Sequence, residues 1–423
     1  MPQTKKPGRL HHDNNSSKAP HKKPSKQAPK KAQPERLQSK PENSSSSLAS
    51  LPVKVQQSVV DVFSASLSID YVSIPDVKSE IQKIKQHLYN RDFHGAFGTS
   101  EARQAYAARW SPSRAVGYAD LFCGVEEIVE VLRGGVDVNE RWVEGAGDRG
   151  QTLVEREDLQ EGEEVNGGDA KRCAKITCLG AGAGAEVVAL VVASRHLARD
   201  SEGTSESREE GTMPHLAISA VDIADWSDVL EKLRSGLCRP DFSLSAPSTT
   251  TTAPPSSTLA FHQSDALTLP PENLAPLLVD TALVTLLFTL NELYSTSIAR
   301  TTAFLLSLTY LTAPGTLLLV VDSPGSYSTV CVGANSRAEG RAPGEAGDRG
   351  AGTSEKRYPM AWLLDHTLLE VSSIGSSKLA SGEGEKQWVK IRSEESRWFR
   401  LKGLKYGLEL EDMRYQVHLY RRL

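Results

Sequence analysis

The run Ile176-Thr-Cys-Leu-Gly-Ala-Gly-Ala-Gly184 limits what this chain can fold into more than any other stretch of it. A short apolar strand enters three glycines at alternate positions, and the apolar helix Ala185–His196 begins at once. Glycines let the backbone turn sharply and present bare N–H groups to a ligand at a helix N-terminus, a device of α/β folds that bind nucleotide-like cofactors. Gly180, Gly182 and Ala185 also satisfy the G-x-G-x-x-(G/A) dinucleotide fingerprint. The turn alone therefore leaves a nicotinamide cofactor, another adenosine cofactor and a purely structural role all open.

The flanking pattern extends the α/β reading. Strands are predicted at Ile176–Leu179, Leu216–Val221, Leu259–Gln263, Leu283–Thr289, Thr316–Val321, Gln387–Ile391 and Tyr415–Tyr420. Helices are predicted between most of them, at Ala185–His196, Trp226–Leu233, Thr296–Leu311 and Tyr358–Leu369. Alternating strand and helix argues for a mainly parallel, doubly wound sheet, and the last two strands, with little helix between them, are expected to pair as a hairpin. Before the sheet, Val77, Ile81, Ile84 and Leu88 share one helical face. Ala102–Trp110 reads as a second helix, stopped by Ser111-Pro112, and Ser113–Leu132 as a third. The expected fold is a seven-stranded α/β sheet with a helical cap at residues 51–142 and the sheet domain at 172–423.

Composition shows where the chain departs from a packed body. Hydrophobic residues are 39% of 423, low for a chain that packs throughout. Residues 1–41 carry eleven Lys or Arg against two acidic residues, a net of +9, and the remaining 38 basic and 51 acidic residues give −13. Residues 1–50 are expected to be a disordered basic tail, either an RNA-attracting or nuclear-targeting arm or a plain solvated one. Segments 143–171, 200–213, 239–258 and 333–356 are Gly/Ser/Thr/Glu/Pro-rich insertions. Five irregularly spaced cysteines give no C-x-x-C pair, so neither zinc nor a disulfide framework is implied and no metal is expected. No apolar leader opens the sequence, and the run Leu274–Leu293 is broken by Pro276, Asp280, Asn291 and Glu292, so no membrane partner is expected. A nuclear, nucleolar or cytoplasmic location follows.

The ends of the strands hold the candidate chemistry. Asp222 closes the second strand, suited to accept bonds from ribose hydroxyls, and Asp265 follows the third, suited to an adenine amino group; each alone could instead be a helix cap. A side chain at Gly182 is expected to intrude on the cofactor. Beyond the fourth strand, Asn291, Glu292 and Tyr294 are placed to face a transferred group, although Asn291 also suits a helix N-cap. Asp322 ends the fifth strand and Tyr327 follows it as a possible base-stacking platform, or as part of an ordinary Pro-Gly turn. Arg109 and Arg114 lie among aromatics just before the core, where they either pair with an anion or sit among core packing. The basic and aromatic stretch Arg392–Arg422 either tracks an RNA backbone or is a solvated strand face. Neither an (Asp/Asn)-Pro-Pro-(Tyr/Phe) box nor a Pro-Cys pair is present at the fourth strand.

A glycine turn followed by acids after strands two and three resembles the cofactor motifs of class I S-adenosylmethionine-dependent methyltransferases. The segments Ala108–Tyr118, Phe288–Tyr294, Val321–Tyr327 and Met413–Arg422 resemble a fungal family of such enzymes, a member of which methylates N(3) of a uridine in 25S ribosomal RNA. The resemblance runs in blocks from Leu88 to Leu423. It implies S-adenosyl-L-methionine as cofactor, held at Gly180, Gly182, Gly184, Glu186, Asp222 and Asp265, and large-subunit ribosomal RNA as partner. It fixes no catalytic base. Glu292 and Asp322 are the carboxylates suited to remove a ring-nitrogen proton, with Asn291 holding a carbonyl and Tyr294 or Tyr327 stacking on the ring. The competing readings are a nicotinamide-dependent oxidoreductase and a non-catalytic scaffold in ribosome assembly.

Overall fold

The computed structural model describes residues 51–67, 74–134, 173–202, 215–239, 256–325, 329–332, 356–374 and 385–423. The basic tail and the bulk of all four expected insertions lie outside the described residues.

Among the described residues five helices precede the sheet: α1 (Val53–Ser66), α2 (Ile74–Tyr89), α3 (Phe93–Phe97), α4 (Ser100–Gly124) and α5 (Glu126–Leu132). Then come β1 (Cys173–Leu179), α6 (Ala185–Glu202), β2 (His215–Asp222), α7 (Ser227–Leu237), β3 (Ser257–Gln263), α8 (Pro271–Leu278) and β4 (Thr281–Leu287). The remainder is α9 (Leu290–Thr296), α10 (Ile298–Leu311), β5 (Leu317–Asp322), β6 (Thr329–Val332), β7 (Lys356–Pro359), α11 (Met360–Asp365), α12 (Ser372–Ile374), β8 (Trp388–Phe399) and β9 (Met413–Arg422).

The main sheet has the order β3-β2-β1-β4-β5-β9-β8. The first five strands are mutually parallel, β9 lies antiparallel to β5, and β8–β9 is the expected hairpin. β1 and β4 are neighbours although β2 and β3 intervene in sequence, so the winding reverses between them and leaves a crevice at their carboxyl ends. Two apolar cores cover the two faces. One joins α1, α4, α6 and α7 to the sheet, and the other joins α8–α11. Strand β4 is buried at every position, as a strand covered on both faces must be.

Pro112 does not stop a helix. α4 runs unbroken from Ser100 to Gly124 with Pro112 inside it. A proline there removes the N–H that would bond the carbonyl of Ala108. That carbonyl accepts instead from the Tyr406 hydroxyl at 2.7 Å, supplied from the β8–β9 connection. The chain breaks later, at Val125, whose extended backbone separates α4 from α5. Three more differences are local. α1 and α3 lie outside the sequence expectations. The expected helix Thr296–Leu311 is divided at Ser297, which is extended and caps α10 by accepting from the Arg300 N–H. Tyr358–Leu369 begins as strand β7, becomes α11 after Pro359, and widens into a π-helical turn at His366–Val371.

Candidate active site

The glycine turn holds backbone angles that side chains resist: φ is +80° at Gly180, +27° at Gly182 and +76° at Gly184. A Cβ on Gly180 would fall 2.2 Å from the Thr289 hydroxyl, so the turn packs directly on the loop after β4. A Cβ on Gly182 would point at the Asp222 carboxylate, 3.0 Å away, and at the Trp226 ring. A side chain at 182 would thus be crowded by the Asp222 carboxylate of the chain's own second strand, beside any demand a cofactor makes on that position.

Asp222 is well engaged. Its Oδ2 accepts from the Gly182 N–H at 2.9 Å, and its Oδ1 from the Ala224 N–H at 3.0 Å and the Trp226 indole at 3.1 Å. Burial raises its pKa, against the pull of those donors. Beside it Ile223 is 59% exposed, an apolar surface at the mouth of the crevice. Asp265 lies on the next strand end, tied in by the Ser264 N–H to Asp222 carbonyl bond. Its carboxylate accepts from the Leu267 N–H at 2.9 Å, a turn-capping contact.

Glu186, in the first turn of α6, is 2% exposed. Its Oε2 accepts from Thr285 of β4 at 3.2 Å, while Oε1 has no partner. Burial pushes its carboxyl up to about 8, opposed by the hydroxyl of Thr285 and the thiol of Cys178. A buried acid whose pKa is raised by burial therefore lies behind the glycine turn.

Helix α4 covers the crevice. The Ser111 hydroxyl donates to the carbonyl of Ala183, inside the glycine turn, at 2.9 Å. Arg114 and Tyr118 follow at i+3 and i+7 on that face. The Arg114 guanidinium donates to the Tyr106 hydroxyl at 3.1 Å and sits 5.2 Å from the centre of the Phe288 ring. Tyr118 lies 6.4 Å from the same ring. Burial disfavours the Arg114 charge, but Tyr106, Tyr118 and Asp322 outweigh it and hold the pKa above its usual value. Phe288 has φ +56°, a strained angle for a bulky residue and one that clusters at functional sites. Trp226 closes the side of this space within a ring cluster: Phe97 lies 5.1 Å from it and Tyr106 5.7 Å.

Asp322 is 3% exposed at the end of β5. It accepts from the Asn291 N–H at 2.9 Å and the Ser323 N–H at 2.7 Å. Burial lifts its carboxyl up to about 6; those N–H groups and Arg114 pull downward, and Glu292 adds to the rise.

The structure therefore brings together Gly180, Gly182, Gly184, Glu186, Asp222, Asp265, Arg114, Asn291 and Asp322. It does not bring in three other expected site residues, Arg109, Glu292 and Tyr294. Arg109 is bound through Glu411 and the Glu409 carbonyl to the β8–β9 connection, which turns its donors away from a substrate. Glu292 points outward, half-exposed and 3.7 Å from Arg91. Tyr294 is 1% exposed in the core shared by α8–α11, with its pKa pushed up to about 12 by burial, and offers no ring face to a base. Tyr327 lies outside the described residues. Sequence reasoning passed over Ile223, Trp226 and Phe288; only their adjacency to Asp222 and to the fourth strand end pointed to them.

The donor set fits an elongated, charged adenosine ligand: a glycine cradle, a strand-end carboxylate beside an exposed apolar residue, a buried acid and a half-buried guanidinium. Among the described residues no His/Cys/Asp/Glu group has the arrangement to hold a metal ion, and no helix is long and apolar enough to cross a membrane.

Residues 61–421 match the family described as "Putative SAM-dependent methyltransferase". A curated relative, the 25S rRNA (uridine(2843)-N(3))-methyltransferase of Saccharomyces cerevisiae, is 29% identical over 348 residues, covering 81% of this chain and 77% of that protein. Among solved structures, a SAM-dependent methyltransferase from Methanosarcina mazei is similar at 11% identity and TM-score 0.30, over 59% of this chain and 92% of the other. The CcbJ methyltransferase from Streptomyces caelestis is similar at 12% identity and TM-score 0.27, over 59% and 83%.

Proposed function

This chain belongs to the SAM-dependent methyltransferase family whose model spans residues 61–421, and from that premise we propose that it methylates N(3) of a uridine in large-subunit ribosomal RNA. The methyl donor is S-adenosylmethionine. The rRNA and position are supported by the likeness to the yeast uridine-N(3) enzyme over most of both chains. The observation that carries the chemistry is Asp322, a buried carboxyl lifted to about 6 at the end of β5, beside the loop that follows β4.

The cofactor, when bound, supplies a methyl group on a sulfonium, already electrophilic and in need of no further activation. The chain's own residues must then do three things. The turn Gly180–Gly184, Asp222 and Ile223 would hold the cofactor, and Arg114, the half-buried cation on α4, would offer its charge to the cofactor's carboxylate. Asp222 already accepts three N–H bonds, so it offers a hydroxyl only its remaining acceptor capacity. The uridine N(3) proton must leave before the ring nitrogen can attack, and Asp322 takes it. A base of pKa near 6 is ionised at neutral pH yet basic enough to accept a proton in the transition state, which an unshifted carboxylate does less well. The uracil must be unpaired to expose that edge, and the crevice under α4 excludes water from it. Glu292, outward and facing Arg91, has no such position.

Nucleoside mass mapping of ribosomal RNA from cells with and without the gene tests the assignment. Loss of one 3-methyluridine from the large-subunit RNA, restored by the wild-type gene, is expected. An unchanged 3-methyluridine content, with a different methylated nucleoside lost, would overturn the acceptor and keep the enzyme class.

A further inference from the structure

We propose that Trp398, flanked by Arg400 and Arg414 at the tip of the β8–β9 ribbon, is a docking platform for a single-stranded nucleotide of the RNA substrate next to the one methylated. The proposal rests on the RNA reading above and names residues for it.

The placement follows from strand register. β9 runs antiparallel to β5, and its Gln416 pairs with Asp322, the last residue of β5. Residues Met413–Tyr415 have no partner on β5 and pair only with β8, as Phe399↔Met413, Trp398↔Arg414 and Arg397↔Tyr415. The ribbon therefore projects past the carboxyl edge of the sheet, the edge where ligands of such sheets bind. Alternation then divides its two faces. Phe399 and Met413 turn towards α4, where both crowd Gly117, and Arg397 reaches Asp120 of the same helix at 3.7 Å. Trp398 and Arg414, directly opposed, share the other face with Gln416. Gln416 donates to the Ser323 carbonyl at 2.8 Å, one residue from Asp322. The platform thus begins two residues, roughly 7 Å of strand, beyond the proposed base.

The chemistry of the tip suits one partner. Trp398 is 50% exposed, so part of its indole is open to a ligand. The Arg400 guanidinium lies 4.0 Å from its ring centre and that of Arg414 lies 5.7 Å away. Arg414 donates to the Ser396 hydroxyl, and among the described residues no carboxylate pairs with it. Arg400 is anchored by Asp412 at 2.7 Å, which fixes its orientation and offsets part of its charge. Lys402 and Lys405 follow on the exposed connection. An aromatic face between cations binds a base by stacking and its phosphates by charge, without demanding a sequence. An acidic or apolar protein partner would not use both features.

The full-length protein is titrated with a single-stranded oligoribonucleotide centred on the methylated uridine, at fixed salt, as wild type, Trp398→Ala, Trp398→Phe and Arg414→Ala. Trp398→Ala is expected to weaken RNA binding about tenfold or more, the scale of one lost stacked base. Trp398→Phe should recover most of it, Arg414→Ala should flatten the salt dependence, and S-adenosylmethionine affinity and melting temperature should stay unchanged. Wild-type RNA affinity in Trp398→Ala overturns the platform, whatever the protein methylates. The weakened binding together with no 3-methyluridine made by the wild type would overturn the acceptor assignment and leave the platform standing.

Discussion

Asp322 and Glu186 are carboxyls almost wholly removed from water, and each should betray itself in how stability depends on pH. A carboxyl whose folded pKa lies above its unfolded value stabilises the fold fully below the unfolded value, and loses that contribution as pH rises to the folded one. For Glu186 the window runs from 4.5 to about 8. Across it, wild type should lose about 1.4 kcal/mol per pH unit relative to Glu186→Gln, which keeps the shape of the neutral acid. Denaturant melts at pH 5, 6.5 and 8 measure this, and parallel curves would show that the acid is ionised throughout. For Asp322 the window is 3.8 to about 6, so across it wild type should lose about 1.4 kcal/mol per pH unit relative to Asp322→Asn. The same variant should methylate two to four powers of ten more slowly, with cofactor affinity kept. A variant both stabilised and fully active would remove Asp322 from the chemistry. Spacing made Gly180, Asp222 and Asp322 legible, because each sits at a strand end. It could not show that Glu292 faces Arg91 or that Tyr294 turns into a core. A residue's direction on a short helix such as α9 is set by what packs against it, not by its neighbours in sequence.

Among the elements, α4 shows a local rule overruled by a distant partner. Proline forecasts a break because it strands a carbonyl, and Tyr406, nearly three hundred residues away, meets that carbonyl. Tyr406→Phe should therefore cost about 1–3 kcal/mol, the penalty for a buried acceptor without a donor. Pro112→Ala restores an N–H for Ala108, so in that background the loss of the hydroxyl should cost much less. A double-mutant cycle by chemical denaturation reads the coupling, and additive effects would show that the hydroxyl is not what carries the helix through. The sheet was legible strand by strand, including the hairpin at its far edge, because β-branched and aliphatic runs bounded by turns recur in the right alternation. Helix ends were less so. The extended Ser297 and the π-helical turn after α11 depend on packing between helices that no single segment records.

At the scale of the whole molecule, charge is unevenly spread, +9 over the first 41 residues and −13 over the rest. A basic arm that meets only phosphates gains no base information from them. Removing residues 1–50 should accordingly lower the salt dependence of RNA binding by about 0.7 in log–log slope for each phosphate the arm no longer neutralises, and leave the modified nucleotide unchanged. An unaltered slope would assign the electrostatics to the body, and a changed nucleotide would make the arm a reader. The order of the sheet has a further consequence, in the time in which the protein is made. β9 enters between β5 and β8, so the strand beside Asp322 is drawn from residues 413–422. A ribosome that has already delivered the glycine turn, α4 and β5 still leaves the outer edge of β5 bare and the Ala108 carbonyl unanswered. The crevice closes only on a chain synthesised through to that strand, and a chain released early carries an open, aliphatic strand edge that chaperones and proteases can recognise.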